Sequence, residues 1–489
     1  MEPWLVAIVA MSLYLVFAFA LGILAGRGRS FYSVSEYAVA DRGLGLFVMW
    51  FLMGGTIFSA FAFLGGPGWA YSKGAASFYI LAYAALGLLP WYLIGPKVAR
   101  LGARQNYFTM GDLLRDRYRS RAIVVIVGVV SVLAFIQYLT LQIKGMAYVF
   151  NVLTEGHIPF WVGALLAYGI VVIYVATSGV RGAAWSDVLQ AILMLVVAWI
   201  LGLYLVYTLH GGTGPMFEMI ARERPDFLVI GEPGSKMSAM AFSSAIIMSM
   251  IGFMMWPHLF MKSYTTSERR IKLTVIAYPV FALFLVPVLF IGFSAIGVVP
   301  PDVLQSSDQV LPHLITYEIG ATGLVYGLIG AGALAAAMSS SDAITHGASV
   351  SVGRDIVLPL KPDLPERTQL LIMRVSVVLV GGVAYYLAIF GGEGLIQLLL
   401  GAYGYIVQFA PPVYGALYWR RATREGALAG LVAGVAVNCY YQLVADATLL
   451  DINAGMVALI VNIVVFVGLS LLVRQSDEIR ARSAAFVET

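Results

Sequence analysis

Cysteine occurs once in 489 residues, as Cys439 within an apolar run. One thiol makes neither an internal disulfide nor a cysteine-based zinc site. Charge is also scarce: Asp, Glu, Lys and Arg make up 11% of the chain, whereas a soluble domain carries roughly a quarter. No basic cluster is interleaved with aromatics, which argues against nucleic acid as a partner. The chain has no Walker loop, no His-Glu-x-x-His and no stretch suited to a soluble nucleotide domain. These absences argue against an enzyme and against an ATP-driven pump.

Apolar residues fill the chain instead, at 60%. Runs of about 20 apolar residues read as membrane spans. Thirteen are counted, at 4–25, 44–71, 75–96, 122–152, 159–177, 184–208, 238–260, 271–297, 322–350, 368–390, 394–418, 426–445 and 452–473. The expected fold is therefore an all-α, multi-pass membrane protein. The first run is long for a signal peptide and lacks a basic leader, so it reads as a retained helix. With the N-terminus outside, 25 of the 30 Lys and Arg residues fall in inward loops and the tail, from Arg27, Arg29 and Arg42 to Arg474, Arg480 and Arg482. Lys262 is counted among them, in the loop after span seven. Every alternation obeys the positive-inside rule. The C-terminus is thus expected in the cytoplasm, and the protein in the inner (plasma) membrane.

The most informative stretch is Ala335-Ala336-Ala337-Met338-Ser339-Ser340-Ser341-Asp342 and on to Ser349, in span nine. Polar and ionisable groups in hydrocarbon are costly and usually face a cavity or an ion. Their oxygens are what a hard cation accepts in place of water. Serine alone reads as a helix contact that bonds back to its own helix; Asp342 beside the run favours an ion site. Span two contains Gly54-Gly55 and Gly65-Gly66-Pro67-Gly68. These clusters mark either close packing or a broken helix, and two of them in one span favour a break whose carbonyls face a cavity. Span four carries Gln137, Gln142 and Lys144. Two readings of Lys144 stand: snorkelling to the membrane surface, or a cation in a central cavity. Asp187, early in span six, either caps its helix and pairs with Arg181 or reaches the neighbourhood of Asp342. His258 reads as a hinge residue, and Tyr403 and Tyr405 as candidate cavity residues beside the Pro411-Pro412 kink.

These residues resemble the solute:sodium symporter family, which includes proline, pantothenate, sugar and monocarboxylate carriers. The resemblance rests on Ser35-Glu36-Tyr37-Ala38-Val39-Ala40-Asp41-Arg42, Gly65-Gly66-Pro67-Gly68, Thr177 to Gln190, Trp256-Pro257-His258, the Ala-Ala-x-Met-Ser-Ser segment, and Leu417 to Gly430. It implies a LeuT-like core of two inverted five-helix repeats. They would occupy 44–208 and 209–421, preceded by an extra helix and loop in 1–43 and followed by two helices and a tail in 422–489. It also implies a sodium site made by the hydroxyls of Ser339 and Ser340 with carbonyls of Ala336, Gly55 and Phe58. Some relatives hold a second sodium on the aspartate matching Asp187 and two hydroxyl residues of the serine helix. This chain has Asp342 and Ala343 there, so Asp187 and Asp342 stand as a second sodium site or a proton site. The aromatic span two suits a small organic anion with an apolar tail, with Phe58, Phe61, Gln142, Lys144, Tyr403 and Tyr405 as candidate substrate contacts. The expected function is sodium-coupled uptake of a monocarboxylate by alternating access. A proton-coupled carrier using Asp342, Asp187 and Lys144, and a proline- or pantothenate-type sodium symporter, are the alternatives.

Overall fold

The computed structural model describes residues 2–26, 33–232, 235–318, 323–392, 395–444 and 449–488. Arg27 and Arg29 of the charge count lie outside them. Every expected span is helical, but not every span is one helix. Among the described residues eight helices are long and apolar enough to cross a membrane, and counting two sharply bent pairs raises this to ten. The remainder is explained by breaks. The fifth and sixth spans run together as Phe160–His210, divided at Gly179 with φ +57°. A Cβ there would lie 2.6 Å from the Tyr37 carbonyl oxygen, so both the dihedral and the contact require glycine. The eleventh span is Leu395–Ile406 and Ala410–Tyr418, with Pro411-Pro412 opening the second piece.

The first helix of each expected repeat is interrupted. Span two is Leu46–Ile57, then Phe58 at ψ 88°, then a π-helical turn over Phe61–Gly65 that leads into Gly66–Lys73. Span seven is Ala239–Gly252, a tight turn to Trp256 at ψ 119°, then Pro257–Lys262. The break in span two falls between its glycine clusters, which corrects the expectation that the glycines themselves rupture the helix. They serve packing. A Cβ on Gly54 would meet the Phe281 ring at 2.3 Å, and one on Gly68 the Ser307 carbonyl oxygen at 2.7 Å.

Two further features bear on how the helices pack. Residues expected in the first inward loop form a short helix, Val34–Val39, capped by the Ser33 hydroxyl. Glu36 of that helix takes the ion pair with Arg181, at 2.5 Å, which the sequence offered to Asp187. The first span, Pro3–Ala25, packs closely on the serine helix, Gly323–Ser351: Cβ atoms on Gly327 and Gly330 would lie 2.3 Å from Ala10 and 2.7 Å from Met11. Small residues in the serine helix thus admit a neighbouring backbone, and all of its residues from Ile329 to Ser351 are buried.

Candidate functional site

The break in span two releases backbone groups, and each can be followed. In an unbroken helix the Thr56 carbonyl would accept from the Ala60 N–H. Here the Ala60 N–H donates to Gln142 Oε1 at 2.9 Å, and the Phe61 N–H donates to Ser59 Oγ at 3.2 Å. The Thr56 carbonyl is thereby freed, and the serine helix meets both it and the Gly55 carbonyl at the same break. Ser339 Oγ donates to the Gly55 carbonyl at 3.0 Å and also lies 3.2 Å from its own helix's Ala336 carbonyl. Ser340 Oγ donates to the Thr56 carbonyl at 2.6 Å. The Thr56 carbonyl is thus a further oxygen beside the Gly55, Phe58 and Ala336 carbonyls expected from the sequence. Ser341 instead bonds back to the Ala337 carbonyl at 2.7 Å. Both cross-helix serines are wholly buried. The donor set is hydroxyl and carbonyl oxygen only, which suits a hard monovalent cation. Among the described residues no group of three His, Cys, Asp or Glu could hold a metal.

A second polar cluster adjoins the first. Thr56 Oγ1 lies 3.0 Å from Asp187 Oδ2 and accepts a short hydrogen bond from the ammonium of Lys262, which also donates to the Leu52 carbonyl at 2.7 Å. Asp342 Oδ2 accepts from the hydroxyls of Tyr174 at 2.8 Å and Ser186 at 3.0 Å. Asp187, Asp342, Ser186 and Gln190 are fully buried. Asp187 Oδ1, Asp342 Oδ1 and Gln190 Oε1 have no protein hydrogen-bond partner. The structure thus brings Asp187 near Asp342, and it corrects Lys262, which the charge count placed in a loop. At 3% exposure Lys262 is a core residue. Lys144 lies elsewhere: its ammonium donates to the Gly391 carbonyl at 2.7 Å.

The remaining candidates divide. Phe61, Tyr83, Tyr403, Trp256 and Tyr138 form a chain of ring contacts with centroids 5.0–6.4 Å apart, linking the break in span two to the break in span seven. Tyr138 reaches Ser59 Oγ at 3.4 Å, and Gln142 Nε2 in the same region has no protein partner. Phe58 turns away to stack on Phe281 and Phe284 of span eight. Tyr405 turns to Cys439 of span twelve, at 3.6 Å. His258 packs against Phe135, Tyr138 and Trp256. Sequence reasoning missed Thr56, Tyr138, Tyr174, Ser186 and Lys262. For Lys262 a signal existed: it follows closely on the Trp256-Pro257 interruption, where a chain that stops being helical can carry a charge inward.

The description "Sodium:solute symporter family" matches residues 37–434. The uncharacterized symporter YhjB of Bacillus subtilis (strain 168) is 32% identical over 487 residues, covering 96% of this chain and 98% of that protein. The sodium/pantothenate symporter of Escherichia coli (strain K12) is 29% identical over 431 residues, covering 86% and 87%. A Na+-coupled sialic acid symporter, solved in a substrate-bound outward-open state, superposes with a TM-score of 0.77 at 17% identity, covering 96% of this chain and 98% of that one. That likeness establishes a shared fold.

Proposed function

The chain belongs to the sodium:solute symporter family, a membrane transporter that uses sodium, and from that premise we propose that its solute is a small monocarboxylate. One observation carries the ion half: two buried serine hydroxyls meet two carbonyls released by a helix break. A dehydrated sodium ion needs such oxygens, and a broken helix supplies them without solvent. We assign sodium to Ser339, Ser340, Gly55 and Ala336, with the Thr56 carbonyl added and Phe58 retained only through its backbone.

The solute half is supported by the surroundings of the same break. A helical stretch restarts at Phe61 and runs to Lys73, so its positive end faces the interruption. Gln142 Nε2 is an unpartnered donor there, and Phe61, Tyr138, Tyr403 and Trp256 are apolar faces around it. A carboxylate on an apolar tail satisfies both, whereas a polyol hydroxyl left unpaired in such a place costs about 1–3 kcal/mol. Pantothenate, the solute named for the Escherichia coli relative, also carries one carboxylate, together with hydroxyl and amide groups. Lys144 is not used in this reading.

Interruptions in the first helix of each half support the repeat boundaries 44–208 and 209–421 and a rocking motion between the halves. The inward charge bias supports an external N-terminus in the plasma membrane. Uptake into proteoliposomes tests the proposal. An inward sodium gradient should accelerate a carboxylic acid but not its matched amide, and an imposed pH gradient should not replace sodium. Equal uptake of acid and amide would sink the monocarboxylate assignment.

A further inference from the structure

Asp187 and Asp342 are two carboxylates closed to solvent, and Ser186, next to Asp187 in the chain, donates to Asp342 Oδ2 at 3.0 Å. Buried charge of one sign must be balanced nearby. The serine helix offers Asp342, and span six offers Asp187; the balancing group comes from a third element. Lys262, at the end of the interrupted span seven, turns its ammonium inward onto the Leu52 carbonyl and the Thr56 hydroxyl. That hydroxyl in turn contacts Asp187 at 3.0 Å. A lysine at a span end that merely snorkelled would reach for water; this one is 3% exposed.

With both carboxylates ionised, the state a cation site would hold them in, two carboxylates and one ammonium leave a single net negative charge beside the Ser339–Ser340 oxygens. One sodium ion neutralises it, and a second would leave the buried cluster positive. We infer that Lys262 is a tethered cation standing where a second sodium would bind, so that the carrier moves one sodium per solute. Lys262 is on this account a stoichiometry-determining residue. The inference rests on the sodium site proposed above, and it depends on the charge and position of Lys262 rather than on its titration. With a monocarboxylate as solute, one sodium per solute makes transport electroneutral.

Equilibrium binding of radiolabelled sodium to the purified full chain tests it. The unsubstituted protein should bind one sodium per chain with a Hill coefficient of about 1. Lys262→Met leaves the carboxylates short of a positive charge and should admit a second ion, moving the Hill coefficient toward about 2, while adding Asp187→Asn should return it to about 1. Lys262→Arg keeps the charge and should keep one ion. A purely structural lysine would alter stability without altering the count. Two ions on the unsubstituted chain, or one ion on a folded Lys262→Met chain, would overturn the inference and leave the serine site standing. Absence of saturable sodium binding to the unsubstituted chain would overturn the serine site itself. Should Lys262→Met not fold, Lys262→Gln takes its place in the same comparison: two ions on it uphold the inference, and one ion overturns it.

Discussion

The serine helix runs from Gly323 to Ser351 without interruption, while the segment it faces stops at Ile57 and restarts at Phe61. The continuous helix has its carbonyls committed to its own ladder, so it can offer an ion chiefly side-chain oxygen. The interrupted one has a poor choice of hydroxyls but free carbonyls at Gly55 and Thr56. Neither alone offers both kinds of oxygen; together they do. The contrast also separates rigidity from adaptability. Close glycine contacts with the first span hold the serine helix in place, whereas the broken segment relies on borrowed partners, Gln142 and Ser59, for its amides. A site that must bind and release an ion needs one fixed wall and one that can change its partners.

The comparison can be broken most severely at Thr56. Thr56→Val keeps the shape but removes the hydroxyl that joins Asp187 to Lys262, leaving the ammonium only the Leu52 carbonyl. Loss of about 3 kcal/mol in unfolding free energy is expected, read by denaturant melting in detergent. Gln142→Leu removes the acceptor for the Ala60 N–H, and about 2 kcal/mol should be lost, with slower uptake. Ser341→Ala sharpens the contrast from the other side. Its hydroxyl returns to the Ala337 carbonyl and makes no cross-helix hydrogen bond among the described residues, so a change of about 1 kcal/mol or less and an unaltered sodium affinity are expected from a sodium titration of uptake. Smallest of all is Glu268→Gln. It breaks an ion pair with Arg100 at 2.7 Å whose side chains are 40% and 41% exposed, and exposed pairs contribute only about 0–1 kcal/mol. Its melting temperature should stay within a few degrees of the unsubstituted protein's.

The sequence announces the serine helix because hydroxyls and Asp342 have no cheap place in hydrocarbon. It announces an interruption of span two as well, but places it at the glycines, since glycine that packs and glycine that breaks look alike in one dimension. The true break at Phe58–Ala60 carries no punctuating residue and is stabilised by Gln142, 82 positions away. Lys262 is hidden for a related reason. A basic residue at a span end satisfies a topology rule whether it faces water or turns inward, and only the three-dimensional path of span seven distinguishes the two. Tyr174 and Ser186 are ordinary helix residues by composition, made functional by Asp342 arriving from another helix. Lys144, prominent in the sequence as a charge within a span, is occupied with the Gly391 carbonyl.

The central claim, that sodium is held between these two unlike helices, is tested most directly by a sodium titration of uptake in Ser339→Ala combined with Ser340→Ala. The account predicts a folded, monodisperse protein whose uptake no longer responds to sodium. Sodium stimulation equal to that of the unsubstituted protein would contradict it.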